Sequence, residues 1–365
     1  MVDYSQKIKE FEDELKKTKY NKATQGHIGL VKAKIAQLRE KQESRVAKKT
    51  GKSEHGYTVR KSGDATVLLL GFPSAGKSTL LNKLTGADSE VAAYAFTTLS
   101  VIPGMLEYKQ ARIQILDVPG IVSGAASGKG RGREVLTVIQ NADLVLVVVD
   151  VNYPEHYPAI LREVWEARIR LNKWKPEVFI KKRGQGGIHI GKTVPLEVDD
   201  ETLMKVLREF KMVNADVLIR STIDIDDFID CIEGNKKYVP AIVCITKADM
   251  ASAATISTVK KELNADIVVS AEQDLNIESL KELIFQKLDF IRVYMKEPRK
   301  DADMQVPLII ARGSTIGSVC EKLHRDFVKR LKFARVWGSS AKFPGQRLMH
   351  NHILLDKDVL EIHLR

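Results

Sequence analysis

The chain has 365 residues, 44% of them hydrophobic, which suffices for two or three domains with ordinary cores. No apolar run approaches the roughly 20 residues needed to span a bilayer. The first residues, Met1–Gln6, hold no apolar signal core, so a cytoplasmic protein without a membrane partner is expected. The formal charge of +11 is uneven: residues 1–61 carry 16 Lys/Arg against 8 Asp/Glu, and residues 290–365 carry 15 against 8, around a slightly acidic middle. Basic ends suit a polyanion such as RNA and equally suit solvated helix faces, and charge alone leaves both readings open. Cys231, Cys244 and Cys320 are scattered, share no metal-ligand spacing and are expected to be reduced.

In chain order, Ile8, Phe11 and Leu15 recur at helical spacing. After a break at Asn21-Lys22-Ala23-Thr24, so do Ile28, Val31, Ile35 and Leu38. The pattern predicts an amphipathic hairpin within 1–61 and a linker from Ser44 to Ser62. Lys32, Lys34, Arg39, Lys41, Arg45, Lys48 and Lys49 give its second helix a basic surface. A coiled-coil partner and an RNA both fit such a surface.

Between 62 and 289, apolar strands alternate with helical stretches. The strands read Thr66–Leu70, Leu99–Tyr108, Arg112–Leu116, Leu144–Val149, Ala241–Ile245 and Ile267–Val269. The helices read Lys77–Leu84, Tyr157–Leu171, Ile256–Leu263 and Ile277–Leu288. This order predicts an α/β fold: a mostly parallel sheet covered on both faces, with an antiparallel hairpin turning at Lys109-Gln110. Directly after the first strand stands Gly71-Phe72-Pro73-Ser74-Ala75-Gly76-Lys77-Ser78-Thr79. Strand, glycine loop and helix in this order predict a P-loop, whose backbone N–H groups wrap the phosphates of a nucleoside triphosphate. Lys77 is placed to reach the terminal phosphates, and the Ser78 hydroxyl to hold Mg²⁺.

Asp117-Val118-Pro119-Gly120 closes the Arg112–Leu116 strand. Asp117 suits a Mg²⁺-bound water, and Gly120 can offer its N–H to the γ-phosphate. Upstream, Phe96-Thr97-Thr98-Leu99 resembles a first switch loop, with Thr98 favoured over Thr97 to join the Mg²⁺ shell. Lys77, Thr98 and Gly120 are thus the groups expected to touch the reacting phosphate. Ile121 stands where Ras-like proteins carry a water-orienting Gln and has no hydrogen-bonding group, so hydrolysis is expected to be slow unaided. The glycine-rich, cationic 123–134 segment reads as a switch or a connector.

From about 172 to 238 the alternation breaks, and an inserted α+β domain is expected. Its parts are Val178–Lys182, a glycine-rich turn at Gly184-Gln185-Gly186-Gly187, Ile188-His189-Ile190 and helical Glu201–Phe210. The next strand ends in Thr246-Lys247-Ala248-Asp249, which resembles the Asn-Lys-x-Asp guanine signature with Thr246 for Asn. One carboxylate, Asp249, can accept from both N1–H and N2–H₂ of guanine, whereas adenine offers no such pair. Ser270-Ala271-Glu272 follows the last strand and resembles the loop that meets the guanine carbonyl. GTP is therefore expected over ATP. The tail, 290–365, reads as strand Pro307–Ile310, helix Thr315–Phe327 and strands Ala334–Trp337 and Val359–Leu364, which suits a β-grasp. His350-Asn351-His352 lacks partner ligands and reads as a polar turn.

Gly71–Thr79, Tyr94-Ala95-Phe96-Thr97-Thr98-Leu99, Asp117–Ile121 and Gly128-Lys129-Gly130-Arg131-Gly132-Arg133 together resemble the developmentally regulated GTP-binding protein (DRG) family of the Obg-type translation-factor GTPases. The likeness extends to Asn21–Thr24, Leu30–Ala36 and Val336–Ser339, and covers nearly the whole chain. It implies an N-terminal helical hairpin, an interrupted GTPase domain and a C-terminal β-grasp domain of the TGS type. It implies GTP hydrolysis to GDP and phosphate with Mg²⁺, and a switch role in translation through ribosome or RNA contact. A GTP-dependent scaffold with incidental hydrolysis is the other reading, and a protein cofactor is left open. Several Obg-type members carry Asn at the position of Ser74, where it helps hold an activating K⁺. The shorter serine leaves K⁺ open as a second cation.

Overall fold

The structure, a computed structural model, describes residues 4–50, 63–86, 92–93, 100–117 and 142–365. The chain divides into two compact units: Met1–Gly56 with Lys173–Tyr238, and Tyr57–Asn172 with Val239–Arg365.

The first unit joins two stretches far apart in sequence. Helices α1 (Tyr4–Lys17) and α2 (Gln25–Thr50) form the hairpin, with Ile8 packed on Val31 and Ile35 and flanked by Phe11, Leu15 and Leu38. Helix α2 runs to Thr50, into the expected linker, because no glycine or proline stops it before Gly51. The other face of α2 is not free. Ala33 is fully buried among Leu203, Val206, Leu207 and Phe228 of the inserted segment. A Cβ on Gly29 would stand 3.0 Å from the Thr202 methyl, so the glycine lets the helices approach. Gln25 donates to the Glu197 carbonyl, and Lys32 pairs with Asp226 at 2.7 Å. Two cations of the expected basic surface are thereby engaged, Lys32 with Asp226 and Arg39 with Glu12.

The inserted segment adds a strand, Ala215–Ile219, and a helix, Ile225–Glu233, to the expected elements. Its three-stranded sheet has Ala215–Ile219 in the centre, antiparallel to Val178–Lys182 and parallel to Ile188–Lys192. Helix Asp200–Glu209 is capped by the Asp199 carboxylate, which accepts from the Thr202 N–H. Helix Ile225–Glu233 starts with a capping box of Asp224 and Asp227.

The second unit carries a seven-stranded sheet: β1 (Ala65–Leu70), β2 (Ala92–Ala93), β3 (Ser100–Tyr108), β4 (Ala111–Asp117), β5 (Leu144–Asp150), β6 (Ala241–Thr246) and β7 (Ile267–Val268). Their order is β7-β6-β5-β1-β4-β3-β2, parallel except where β3 meets β4 and β2 meets β3. β1 and β5 are buried at every residue, which is why both read as unbroken apolar runs. Lys109 and Gln110, at φ 48° and 67°, make the two-residue β3–β4 turn. The order reverses around β1, so its carboxyl end opens the crevice where α/β sheets bind ligands.

The expected helix Tyr157–Leu171 instead spans His156–Glu166, and Ile169–Leu171 is a strand. Arg168 turns left-handed at φ 64°. The Arg170 guanidinium then lies 3.5 Å over the Trp165 ring and donates to the Trp165 carbonyl, satisfying the helix end.

The tail forms a five-stranded sheet in the order Leu308–Ala311, Phe290–Met295, Asp358–Leu364, Leu331–Trp337 and Gln346–Leu348. The predicted single helix is two, Ile316–Leu323 and Arg325–Arg330, separated where His324 adopts an extended conformation. Ile316, Val319 and Cys320 pack on Ile291, Val293, Val336 and Leu360, as a sheet grasping a helix requires.

Two outcomes test these contacts. Ala33→Leu should overpack the shared core and destabilise the chain by about 1–3 kcal/mol in urea unfolding. In the tail, Arg292 donates to both carboxylate oxygens of Asp356 and holds that carboxyl below its usual range. That contribution is fully present above the unfolded value near about 4 and is lost as pH falls through the lower folded value. Asp356→Asn should therefore flatten the acid limb of a stability–pH profile and leave its neutral-to-basic shape unchanged.

Candidate functional site

The predicted phosphate loop leaves β1 at Gly71, where a Cβ would stand 2.5 Å from the Val148 carbonyl oxygen of β5. Only glycine lets the two strands close at this point. Ser74 at φ 63° and Gly76 at φ 83° curl the loop into the N-terminus of helix α3 (Lys77–Thr85), where Gly76 is the cap. The first-turn amides of α3 thus border the loop that Gly71–Gly76 forms.

Lys77 is only 8% exposed, and its Nζ donates to the Phe72 carbonyl at 3.0 Å, bridging the loop. Burial pushes its ammonium below the ordinary lysine range, and the nearby Asp117 carboxylate pulls it partly back. Beside it, Ser78 Oγ donates to Asp117 Oδ2 at 2.8 Å. Asp117 is buried at the end of β4, and its Oδ1 has no hydrogen-bond partner among the described residues. A hydroxyl and a buried carboxylate with an unused oxygen are hard donors of the kind Mg²⁺ takes. No group of three or more His, Cys, Asp or Glu suited to a metal occurs among the described residues. A cation held by one or two protein oxygens, phosphate and water needs no such group.

At the end of β6, the Thr246 hydroxyl donates to the Ala75 carbonyl at 2.7 Å and lies 3.2 Å from the Val149 carbonyl. Thr246 is buried, so this side chain ties the phosphate loop to the second predicted motif and does not face outward. Lys247 turns left-handed at φ 57°, and its Nζ pairs with Asp150 at 2.8 Å. The chain then presents Asp249 at the surface, where its Oδ1 accepts from the buried Ser270 hydroxyl. The Ala248 N–H bonds the Val269 carbonyl, which keeps the β6 and β7 loops in register. Ala271 and Glu272 follow Ser270 on the outer side of this turn.

The structure thus brings Gly71–Thr79, Asp117, Thr246–Asp249 and Ser270–Glu272 to one end of the sheet. Phe96, Thr97, Thr98, Val118, Pro119, Gly120, Ile121 and the 123–134 segment lie outside the described residues. Three features had not been expected. Asp150 anchors Lys247, and an acid closing an apolar strand was its only signal. The Phe72 ring stacks on His156 at 4.0 Å and 17°, and the Tyr153 ring stacks on the same imidazole at 5.4 Å and 18°. Nothing in the sequence pattern pointed to that stack. The Ser270 hydroxyl donates to Asp249, a contact between the two base-side loops that the expected approach of this loop to the guanine carbonyl did not include.

A glycine loop leading from strand to helix at the reversal point of a mostly parallel sheet defines a P-loop GTPase domain, here followed by a β-grasp domain. Residues 66–182 match the family described as 50S ribosome-binding GTPase, 185–290 the C-terminal region of that domain, and 291–364 the TGS domain. The chain is 50% identical over 370 residues to a GTP-binding protein of Methanocaldococcus jannaschii, covering 100% of this chain and 94% of that one. It is 43% identical over 366 residues to the developmentally-regulated GTP-binding protein 1 homolog of Dictyostelium discoideum, covering 98% of each. It is also 43% identical over 366 residues to developmentally-regulated G-protein 3 of Arabidopsis thaliana, covering 99% of each. The chain belongs to the developmentally regulated GTP-binding protein family.

Thr246→Val keeps the volume but strips the donor from the Ala75 carbonyl. It should cost about 1–3 kcal/mol of stability in urea unfolding and weaken nucleotide binding without touching Asp249.

Proposed function

We propose that this chain hydrolyses GTP to GDP and phosphate with Mg²⁺, and that the nucleotide state switches a contact with the ribosome or its RNA. The observation that carries the reading is the Thr246–Ala75 hydrogen bond, which couples the loop suited to phosphates to the motif suited to guanine. In this reading the Gly71–Thr79 amides wrap the phosphates, and Lys77 exchanges the Phe72 carbonyl for the terminal phosphate oxygens. Ser78 and, through water, Asp117 hold Mg²⁺, which neutralises the charge that moves as the β–γ bond breaks. Asp249, steadied by Ser270, accepts the N1–H and N2–H₂ of guanine, and Ala271 and Glu272 border the guanine carbonyl.

Roles for Thr98 in the Mg²⁺ shell and for Gly120 at the γ-phosphate rest on the sequence alone, with Phe96, Thr97, Val118 and Pro119 flanking them. Ile121 supplies no hydrogen bond to water, so turnover is slow until a partner, or K⁺ near Ser74, completes the site. The ribosomal reading is supported by the matched family's description and by the basic ends of the chain. A cytoplasmic location accords with the absence, among the described residues, of any helix long and apolar enough to cross a membrane.

Phosphate release from GTP and from ATP, in K⁺ or Na⁺ salts and with or without ribosomes, tests the reading. The expected result is Mg²⁺-dependent, GTP-selective turnover that is slow alone and faster with ribosomes. Asp249→Asn should reduce the GTP preference by at least about tenfold, the loss of a paired polar contact. Equal turnover of ATP would sink the guanine assignment. Tight GTP binding with no ribosomal stimulation would favour a scaffold.

A further inference from the structure

We propose that the outer face of the inserted three-stranded sheet is a platform for single-stranded RNA. Along its strands Val178, Ile180, Ile188, Ile190, Val217 and Ile219 turn inward to the core. Alternation places Phe179, Lys181, His189, Gly191, Asp216 and Leu218 on the opposite face. The register sets Phe179, Leu218 and Gly191 in one row, and Lys181, Asp216 and His189 in the next.

Phe179 is 56% exposed at this surface, and the Arg220 guanidinium lies 5.5 Å from its ring centroid. Asp216, the one carboxylate on this face within the strands, is neutralised by Arg183. Glu177 stands just beyond the strand end and forms no ion pair among the described residues. Lys181 and Arg220 are likewise without a carboxylate partner there and together outweigh Glu177, so the face carries net positive charge. Next to it, the Gly184–Gly187 turn is so open that an added Cβ on Gly184, Gly186 or Gly187 would meet nothing within 4 Å.

The occupant must supply negative charge and a flat ring for Phe179 at once. Single-stranded RNA does both, with phosphates along the cations and an unstacked base on the phenyl face. Duplex RNA keeps its bases stacked, and an acidic peptide answers the charge alone. The site uses none of the residues of the basic chain ends and does not depend on GTP turnover.

The test is fluorescence anisotropy of the full chain with a fluorescein-labelled 12-nucleotide single-stranded RNA and with the same strand in a duplex, across a salt series. Phe179→Ala should weaken single-strand binding by about tenfold, while Phe179→Tyr, which keeps the ring, should bind as the parent does. Lys181→Ala and Arg220→Ala should each make the affinity less steeply salt-dependent. Duplex binding and GTP hydrolysis should be unchanged in Phe179→Ala. Equal single-strand affinity in parent and Phe179→Ala would overturn the proposal, as would equal losses in the Ala and Tyr variants. A parent that turns over GTP but binds no single strand would sink this site and leave the GTPase reading standing. Cross-linking of this face to an acidic protein, with RNA affinity unaffected by Phe179→Ala, would assign it to a protein partner and overturn the RNA platform.

Discussion

The hydroxyl of Thr246 reaches across the carboxyl edge of the sheet to the Ala75 carbonyl, joining two loops 171 residues apart in the chain. Each loop holds a non-glycine residue in the left-handed region, a conformation that costs free energy. The glycine loop holds two consecutive-turn residues, Ser74 and Gly76, at positive φ, and Lys247 is left-handed beside Thr246. What offsets those conformations is the buried frame behind them: β1, β5 and β6 packed so closely that Gly71 meets the Val148 carbonyl. From that frame follow the position of Lys77 against Phe72, the meeting of Ser78 with Asp117, and the exposure of Asp249. A buried hydroxyl satisfied by a carbonyl also ties any shift in one loop to the other.

A second constraint lies in the other unit, where the basic hairpin and the inserted segment fold around one core. Both are small: the hairpin is two helices wide, and the insertion is close to the lower size limit of an independent domain, so burying Ala33 of α2 in the insertion's core adds to both. Ala33 and Gly29 on α2 let helix Asp200–Glu209 approach closely, and Lys32 with Asp226 and Gln25 with Glu197 satisfy the polar margin. The hairpin is therefore a packed wall of a domain, which restricts how many of its cations can face a partner. The outer sheet face of the same unit remains open, with Phe179 and Arg220 uncovered.

Much of this was legible beforehand, and the misses have local causes. The strands of the main sheet were readable because burial on both faces demands unbroken apolar runs such as Val67–Leu70 and Leu144–Val149. The helix expected to reach Leu171 stopped at Glu166 because Arg170 folds back over Trp165, a tertiary contact with no periodic signature. The break at His324 is a local cap, in which the imidazole accepts from the Asp326 N–H, whereas the short strand Gln346–Leu348 is set by its pairing with Leu331–Trp337. Strand Ala215–Ile219 was hidden among mixed polar residues because only one of its faces is buried.

The sequence by itself determined the chemistry: a P-loop, a Mg²⁺-suited Ser and Asp, a guanine-suited Asp249, their order along the chain and the family they resemble. Those features reside in the identity and spacing of a few residues and need no knowledge of packing. Only the tertiary structure decided that Thr246 is turned inward as a tie, that Ser270 and Asp150 steady Asp249 and Lys247, and that the hairpin shares a core with a segment whose contacts lie 172 to 194 residues away. These are contacts between residues distant in sequence, set by which buried polar groups must find partners and which small side chains permit close approach. No local pattern encodes them.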